Sequence, residues 1–598
     1  MRDHMQIVQA GDSCWLVVIG DDVSARTSAR VHALKRAIEQ ARPGWLVETV
    51  PGYCTLGLIV QPPEPSRHDI EDLVFAAAAD VSSLPPVPGR EVTVPVCYGG
   101  AYGPDMQTVC QHTGLSESDV VRRHAAGAYQ CAMLGFLPGF PYLVGLDPQL
   151  ATPRLPTPRT SVAAGSVGIA GEQTGVYPVT SPGGWNIIGR TPLALFDPSR
   201  EQPSLVQPGD TVRFVSISPE EFEKQHLHES TGYQQKCAVS DTDIAGCDVL
   251  EPGRLTTVQD SGRWGFQQLG VPVSGAMDRQ ALAMGNLLVG NEEGAAALEM
   301  TLSGPRLTFA ADALVALVGA DMCLHVDGRE YAPWTAVLVR SGGTVSFGQT
   351  LEAGCRAWLC VAGGISVPEV LGSHSTLLRA ALGGHEGRAL RAGDHLHLRP
   401  LPQASRHLEG FSCPPGLRSS AALSAAVPVL PGPQADALSP AARTAFLETT
   451  WTVSSDSDRM GIRLEGPALT LDTGADIISE VVPEGAIQVP GSGLPVIMLA
   501  DRQTTGGYVK PFVVASAAVG SLAQLRPGDH VRFCMSSPAE ARDLLKGQLS
   551  ARSELRRLQD LWRRCRTGGT LQATLNGMHY AVEWQDVTPL EVDDEHHN

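Results

Sequence analysis

Apolar positions in this chain come in short bursts. Within residues 1–85 the runs at 14–19 and 56–60 predict strands, while the spacing of apolar residues over 30–41 and 70–79 predicts amphipathic helices, so a small α/β domain is expected there. The stretch Ser82-Ser83-Leu84-Pro85-Pro86-Val87-Pro88-Gly89 continues neither pattern, because its prolines fix φ and remove amide donors, and it reads as a linker. From 90 to 218 short Val/Ile/aromatic runs broken by Pro and Gly predict a β-barrel or sandwich, with one helix over 116–126 opened by a Ser-x-x-Asp capping box. A polar, His/Gln/Glu-rich segment at 219–247 reads as a join. Strand patterning returns over 248–400, pauses in a Pro/Ser/Ala-rich stretch at 401–425, and resumes over 426–535. The remainder, 536–598, is expected to be a charged helix (538–566) and a terminal strand.

One pattern repeats. Val206-Gln207-Pro208-Gly209-Asp210-Thr211-Val212-Arg213-Phe214 and Leu525-Arg526-Pro527-Gly528-Asp529-His530-Val531-Arg532-Phe533 share a Pro-Gly-Asp turn and the alternating strand after it. Arg391-Ala392-Gly393-Asp394-His395-Leu396 is a looser third copy. Ile169 precedes Gly209 by 40 positions and Ile487 precedes Gly528 by 41, which argues for one module used more than once.

Composition narrows the function classes. The 598 residues carry a formal charge of -18 and no dense basic block, which argues against nucleic acid or anionic membranes as partners. The longest apolar runs, 314–320 and 512–520, fall short of the roughly 18–20 residues a membrane span needs. No secretory signal is read at the N-terminus, so a cytoplasmic location is expected. Thirteen cysteines without a C-x-x-C pair suggest neither a disulfide framework nor a zinc ribbon, and Cys355 and Cys360 read as reduced core residues. His395 and His397 share one side of a strand, but no third ligand is evident and no metal is expected.

The P-loop, G-x-S-x-G, H-E-x-x-H and dinucleotide-fingerprint patterns are all missing. Glycine-dense loops, whose backbone amides can form concave anion sites, stand in for them. One is Ser181-Pro182-Gly183-Gly184-Trp185, followed by Arg190; the other is Asp501-Arg502-Gln503-Thr504-Thr505-Gly506-Gly507-Tyr508, followed by Lys510. Only five of the 45 Lys+Arg residues are lysines, and Lys510 alone lies between a Gly-Gly turn and an apolar run, where a compact ammonium can serve a phosphate or carbonyl oxygen. The plainer alternative is a strand-end lysine reaching solvent. His124 closes a predicted helix, whose C-terminus favours its charged form, and Asp278 sits where a helix N-cap is expected before 280–288. Phe136–Tyr142, with the sequence FLPGFPY, forms an aromatic and proline wall suited to a barrel corner or a flat ligand.

With these residues in view, the sequence resembles the family that contains the B and C subunits of bacterial 5-oxoprolinase, also described as Kip sporulation-regulator relatives and allophanate-hydrolase subunits 1 and 2. The resemblance spans most of 1–535. In the first half it rests on Pro95-Val96-Cys97-Tyr98-Gly99-Gly100, on Gly135 with the FLPGFPY run, and on SPGGWNIIGRTP at 181–192. In the second half it rests on TVQDSG (257–262), SGAMD (274–278), SDRMGIRL (457–464), Gln488-Val489-Pro490 and ADRQTTGGYVK (500–510).

The resemblance implies a mainly β chain of tandem cyclophilin-like barrels after the small α/β domain. It implies the reaction of 5-oxoproline, ATP and water to glutamate, ADP and phosphate, shared with a separate A-type subunit. Under it ATP, with Mg, is the expected cofactor and a small cyclic amide the substrate, and a homo-oligomer is possible. Lys510 and Arg190 would neutralise phosphate charge, His124 or Asp278 would move protons, and Gly183, Gly184, Trp185, Gln488, Arg502, Gly506, Gly507 and Tyr508 would line the site. The alternatives are the carboxyltransferase part of a urea-carboxylase-like enzyme and a Kip-like histidine-kinase inhibitor. No Met-Lys-Met hairpin for covalent biotin is present, although TLQATLNGMHYAVEW (570–584) resembles the strand that precedes a biotinyl domain.

Overall fold

The computed structural model describes residues 5–62, 65–81, 89–229, 245–348, 353–419, 426–567, 569–575 and 578–584. The proposed linker at 82–89 lies almost wholly outside the described residues, as does 230–244 within the expected join.

The N-terminal unit is an antiparallel sheet in the order Gln6–Gln9, Cys14–Val18, Thr55–Val60, Leu46–Pro51. Helices Ala25–Ala41 and Arg67–Val81 accompany it. The first helix starts where Ser24 accepts the Thr27 amide at 3.1 Å, and buries Val31, Leu34 and Ile38 on the 3.6-residue period. Trp15, Val17, Leu56 and Leu58 pack with the helices, whereas Cys14, Leu16, Val50 and Ile59 pack on the opposite side with Val481 from the far end of the chain. A sheet covered on both faces explains why Thr55–Val60 is buried at every position rather than at alternate ones.

Residues 91–216 close into a seven-strand barrel in the order Gln173–Val176, Pro141–Val144, Tyr129–Leu134, Thr211–Ser216, Glu91–Tyr98, Asn186–Arg190, Ser166–Ala170. Its first and last strands pair in parallel, Glu91 opposite Thr211 through Val96 opposite Ser216. A second barrel, nearly closed, spans 427–535 and repeats that signature: Val427–Pro431 pairs in parallel with Phe533–Met535. The two ends of its sheet, His530–Val531 and Phe533–Met535, are separated by Arg532 alone, so the sheet curls until its ends meet. The topology matches too, because Asn186–Arg190 and Thr505–Val514 each lie beside the opening strand of their module.

Between the barrels, 245–398 forms two antiparallel sheets of seven and five strands around a shared apolar core. Here the looser third copy of the repeat closes its segment differently. His395–Leu398 pairs antiparallel with Ala245–Glu251, so the segment is a two-sheet layer rather than a further barrel of the same kind. What the three copies share is the turn. Asp210, Asp394 and Asp529 accept the amides of Gln207, Arg391 and Arg526 at 2.8, 2.7 and 2.7 Å, and Gly209, Gly393 and Gly528 have φ of 95, 89 and 88°.

The stretch read as a polar join contains helix Pro219–Glu229, whose Phe222 is buried against Tyr102. The tail helix is Pro538–Thr567, and 569–584 is a hairpin of Gly569–Leu575 with Met578–Trp584 rather than one strand. Among the described residues no helix is long and apolar enough to cross a membrane.

Candidate functional site

Strand Thr505–Val514 lies between its barrel neighbours and Asp476–Val481, with Glu480 opposite Gly506. Lys510 on this strand is fully buried, and it is the only one of the described lysines that is. Its Nζ lies 2.8 Å from Glu480 Oε1. Gln434 clamps the pair, donating from Nε2 to Glu480 at 2.7 Å and accepting the Lys510 amide at 3.1 Å. An ammonium and a carboxylate taken out of water together require this kind of added bonding. Around them Tyr53 Oη, Thr55 Oγ1, Gln488 Nε2, Thr504 Oγ1 and Thr505 Oγ1 are buried and make no hydrogen bond within the described residues.

Three parts of the chain meet here. The turn at Gly52 packs over Glu480: a Cβ on Gly52 would lie 3.3 Å from Glu480 Cα. Gly135 of the first barrel faces Thr505, whose Oγ1 would be 1.8 Å from an added Cβ. Buried donors lacking acceptors beside a fixed ammonium can hold a carbonyl or anionic oxygen without reorganising.

The glycines act differently from the anion cradles expected. Gly183, Gly506 and Gly507 lie in extended strands, and with Gly184 none has the positive φ of a nest. They permit close packing instead. A Cβ on Gly183 would meet Tyr177 Oη at 2.3 Å, and one on Gly506 would meet Gln488 Nε2 at 2.9 Å.

Segment 480–484 leads from the Lys510 pair to a cavity of about 500 Å³, a span of at most ~14 Å. Pro483 and Glu484 line the cavity with Asp278, Arg279, Arg502 and Trp264. Glu484 Oε2 lies 2.5 Å from Arg279 Nη1, and the Arg279 guanidinium stands 5.2 Å from the Trp264 ring centre. Asp278 caps helix Arg279–Val289, accepting the Ala281 amide at 2.9 Å, and burial pushes its carboxyl up. Arg502 donates to Val482 O at 2.9 Å and to Gln267 Oε1 at 3.0 Å. Gln267 is in turn held by Glu48 of the N-terminal sheet, at 2.8 Å through Nε2.

Sequence reasoning missed the groups that hold these loops. Arg459 donates to Glu299, to both oxygens of Asp501 (3.0 and 3.2 Å) and to Gly275 O (2.6 Å), all buried. Ser274, at φ 58°, donates to Asp501 at 2.8 Å. Arg459 stands inside the SDRMGIRL motif, whereas Glu480, Glu299 and Glu48 announce themselves only as lone acids in apolar runs.

Three expected site residues are placed elsewhere. His124 lies inside the first barrel, stacked 4.6 Å from Phe214. Thr174 Oγ1 donates to Gly168 O, so it accepts from His124 Nε2 (2.9 Å), and Nδ1 accepts from Tyr98 Oη (2.8 Å). With both nitrogens used and burial pushing its pKa down to about 3, His124 is a neutral core residue; burial outweighs the helix C-terminus expected to charge it. Arg190 sits at the end of its strand, donating to Ala164 O at 2.8 Å and lying 5.9 Å from the Phe222 ring centre, so it does not join Lys510. Tyr508 is exposed. Trp185 is buried on Phe140 and Tyr142, and Tyr142 in turn meets Tyr53, so the aromatic wall links the first barrel to the Lys510 neighbourhood.

Known proteins divide along the same line. The family model for the carboxyltransferase domain, subdomains C and D, matches residues 5–206, and that for subdomains A and B matches 269–535. The chain is 41% identical to the 5-oxoprolinase B subunit of Bacillus subtilis, covering 37% of this chain and 97% of that protein. It is 36% identical to the 5-oxoprolinase C subunit of Haemophilus influenzae, covering 52% of this chain and 98% of that protein. The urea amidolyase of Lachancea kluyveri is 34% identical over 51% of this chain, but only 18% of that longer protein is covered. The crystal structure of TTHA0988 superimposes with a TM-score of 0.75 at 35% identity, covering 87% of this chain and 99% of that one. A B-like half, a C-like half and two barrels of one topology therefore occur in a single polypeptide, and the chain belongs to the carboxyltransferase-domain family of the 5-oxoprolinase B and C subunits.

Proposed function

We propose that this chain is the joined B and C component of an ATP-dependent 5-oxoprolinase, which with a separate A-type subunit converts 5-oxo-L-proline, ATP and water to L-glutamate, ADP and phosphate. The observation that carries the reading is that one chain covers 97% of a 5-oxoprolinase B subunit and 98% of a C subunit. The chemistry of the junction supports it. A five-membered lactam is resonance-stabilised and its amine leaves poorly, whereas transfer of the γ-phosphoryl group to the carbonyl oxygen makes an electrophile that water can open. Lys510, with unused donors around it, is suited to the oxygen that gains charge in that transfer. Asp278, whose carboxyl burial favours in the protonated form, is the proton carrier of this proposal. Magnesium would arrive on the phosphates of ATP, since no group of three or more His, Cys, Asp or Glu residues suited to a metal occurs among the described residues.

The carboxyltransferase description and the urea amidolyase similarity favour a second reading, transfer of CO₂ from carboxybiotin to urea. Phosphate release separates the two. With the A-type subunit and ATP, 5-oxoproline is expected to stimulate release and urea is not; stimulation by urea that depends on biotin would reverse the assignment. Lys510→Met should lower the oxoproline-dependent rate by about 100-fold or more. It should also cost about 3–5 kcal/mol of stability, because Glu480 is left buried without a counter-charge. Adding Glu480→Gln should restore most of the stability and none of the rate. Unchanged rates in Lys510→Met would remove the lysine from the mechanism.

A further inference from the structure

Five charged side chains line the junction cavity: Arg279, Arg502 and Arg552 against Asp278 and Glu484. Arg279 is matched by Glu484 at 2.5 Å, and Arg552 by Glu293, outside the lining, at 3.2 Å. Arg502 is different. It is buried, its hydrogen bonds end on neutral acceptors, and among the described residues no carboxylate lies within ion-pair distance of it. Asp278 does not fill that place, since it caps a helix and burial favours its neutral form. Glu484 acts on the Arg502 guanidinium as well as on that of Arg279, so along this wall one ionised lining carboxylate faces two cations, a balance that a further anion would complete. The rest of the lining is largely apolar, with Val47, Ile59, Met277, Val519, Leu545 and Leu549 in it.

One wall is the C-terminal helix. Leu545, Gln548, Leu549 and Arg552 follow the i, i+3, i+4, i+7 spacing of a single helix face. The helix is docked by Gln548 Nε2 donating to Ala517 O (2.8 Å), Arg552 Nε to Gln280 Oε1 (2.6 Å) and Trp562 Nε1 to His407 O (3.0 Å). It begins at Pro538, beyond the carboxyltransferase match that ends at 535.

The geometry points to a binding site for a small monocarboxylate with an apolar body, its carboxylate balanced by Arg502 and its size set by Leu549 and Arg552 of the C-terminal helix. 5-Oxoproline, a carboxylate on a five-membered ring, has this chemistry; only the identity of the ligand rests on the oxoprolinase reading. The class also includes carboxylates without a lactam, so the test uses both.

The full chain is titrated calorimetrically with 5-oxoproline and with cyclopentanecarboxylate, as wild type, Leu549→Trp and Arg552→Glu. Leu549 is 40% exposed, so tryptophan can extend over the opening without disturbing a core. Both variants are expected to weaken carboxylate binding by about ten-fold or more; the ligand-free unfolding midpoint stays in place in Leu549→Trp and falls in Arg552→Glu, which also loses Gln280 and Glu293. Binding of 5-oxoproline alone identifies the substrate as the occupant, and equal binding of both identifies any small ring carboxylate. Unchanged affinity in both variants, or binding of neither carboxylate at millimolar concentration, overturns the site. Phosphate release is measured on the same proteins. Carboxylate binding that depends on the helix without oxoproline-stimulated release would sink the oxoprolinase reading and leave the site standing. Normal turnover with carboxylate affinity unaltered in both variants would do the reverse.

Discussion

His124 and Lys510 are both buried titratable side chains, and their neighbours divide them. Lys510 lies against Glu480 with unused donors around it, whereas His124 is saturated by Tyr98 and Thr174 in an aromatic core. The pH dependence of stability should show this. In the folded chain the His124 pKa is pushed down to about 3, and in the unfolded chain it is near 6.5, so below 6.5 the unfolded state binds the extra proton. The contribution is therefore intact above pH 6.5 and lost as pH falls toward 3, by about 1.4 kcal/mol per pH unit. Asp12, Glu48 and Asp278, whose carboxyls burial pushes up, act in the opposite sense, so the measurement is a difference. Between pH 6.5 and 5 wild type should lose about 2 kcal/mol more than His124→Phe in denaturant titrations. Equal losses would place the titrating proton elsewhere. At this scale the sequence set Lys510 apart from the other lysines, because lysine is scarce and the position is flanked by glycine and apolar residues, and the fold buries it. It could not show that Glu480 and Gln434 would enclose it, because those contacts join segments 30 and 76 positions away.

Local patterns carried the elements. The Ser116 cap was readable because its signal lies within four residues; Ser116 accepts the Asp119 amide at 3.2 Å and helix Glu117–Ala126 follows. The Pro-Gly-Asp echo was readable for the same reason. Its turn recurs three times, but whether the closing strand pairs parallel or antiparallel depends on a partner more than 100 positions away, so the turn motif alone could not show that the third copy closes differently. Helix Pro219–Glu229 was hidden by its polar composition, with Phe222 its one buried side chain among those described. Because Gly209, Gly393 and Gly528 all hold positive φ, alanine at each should cost about 1–2 kcal/mol by thermal denaturation. None of these glycines lines the junction cavity, so oxoproline-dependent phosphate release at low temperature should be retained; a selective loss of release in Gly528→Ala would tie that turn to the site.

The whole molecule is held across its two halves. Asp12 accepts from Ser516 Oγ at 2.7 Å, Glu48 binds Gln267, and Gly11 and Gly57 admit Val513 and Val481, whose Cγ1 atoms would each lie 2.6 Å from an added Cβ. Chain cut between 230 and 244 should therefore stay together, the fragments co-eluting in size exclusion at micromolar concentration; separation at low salt would show that the interface needs the tether. Docking the N-terminal sheet against the last barrel also sets a schedule for synthesis. The face carrying Leu16, Val50 and Ile59 emerges from the ribosome early, yet Val481 and Val513, which cover it, are made more than 400 residues later. At about 5–20 residues per second that apolar face waits for tens of seconds, which makes the nascent chain a client for holding chaperones and gives slow translation a direct cost in yield.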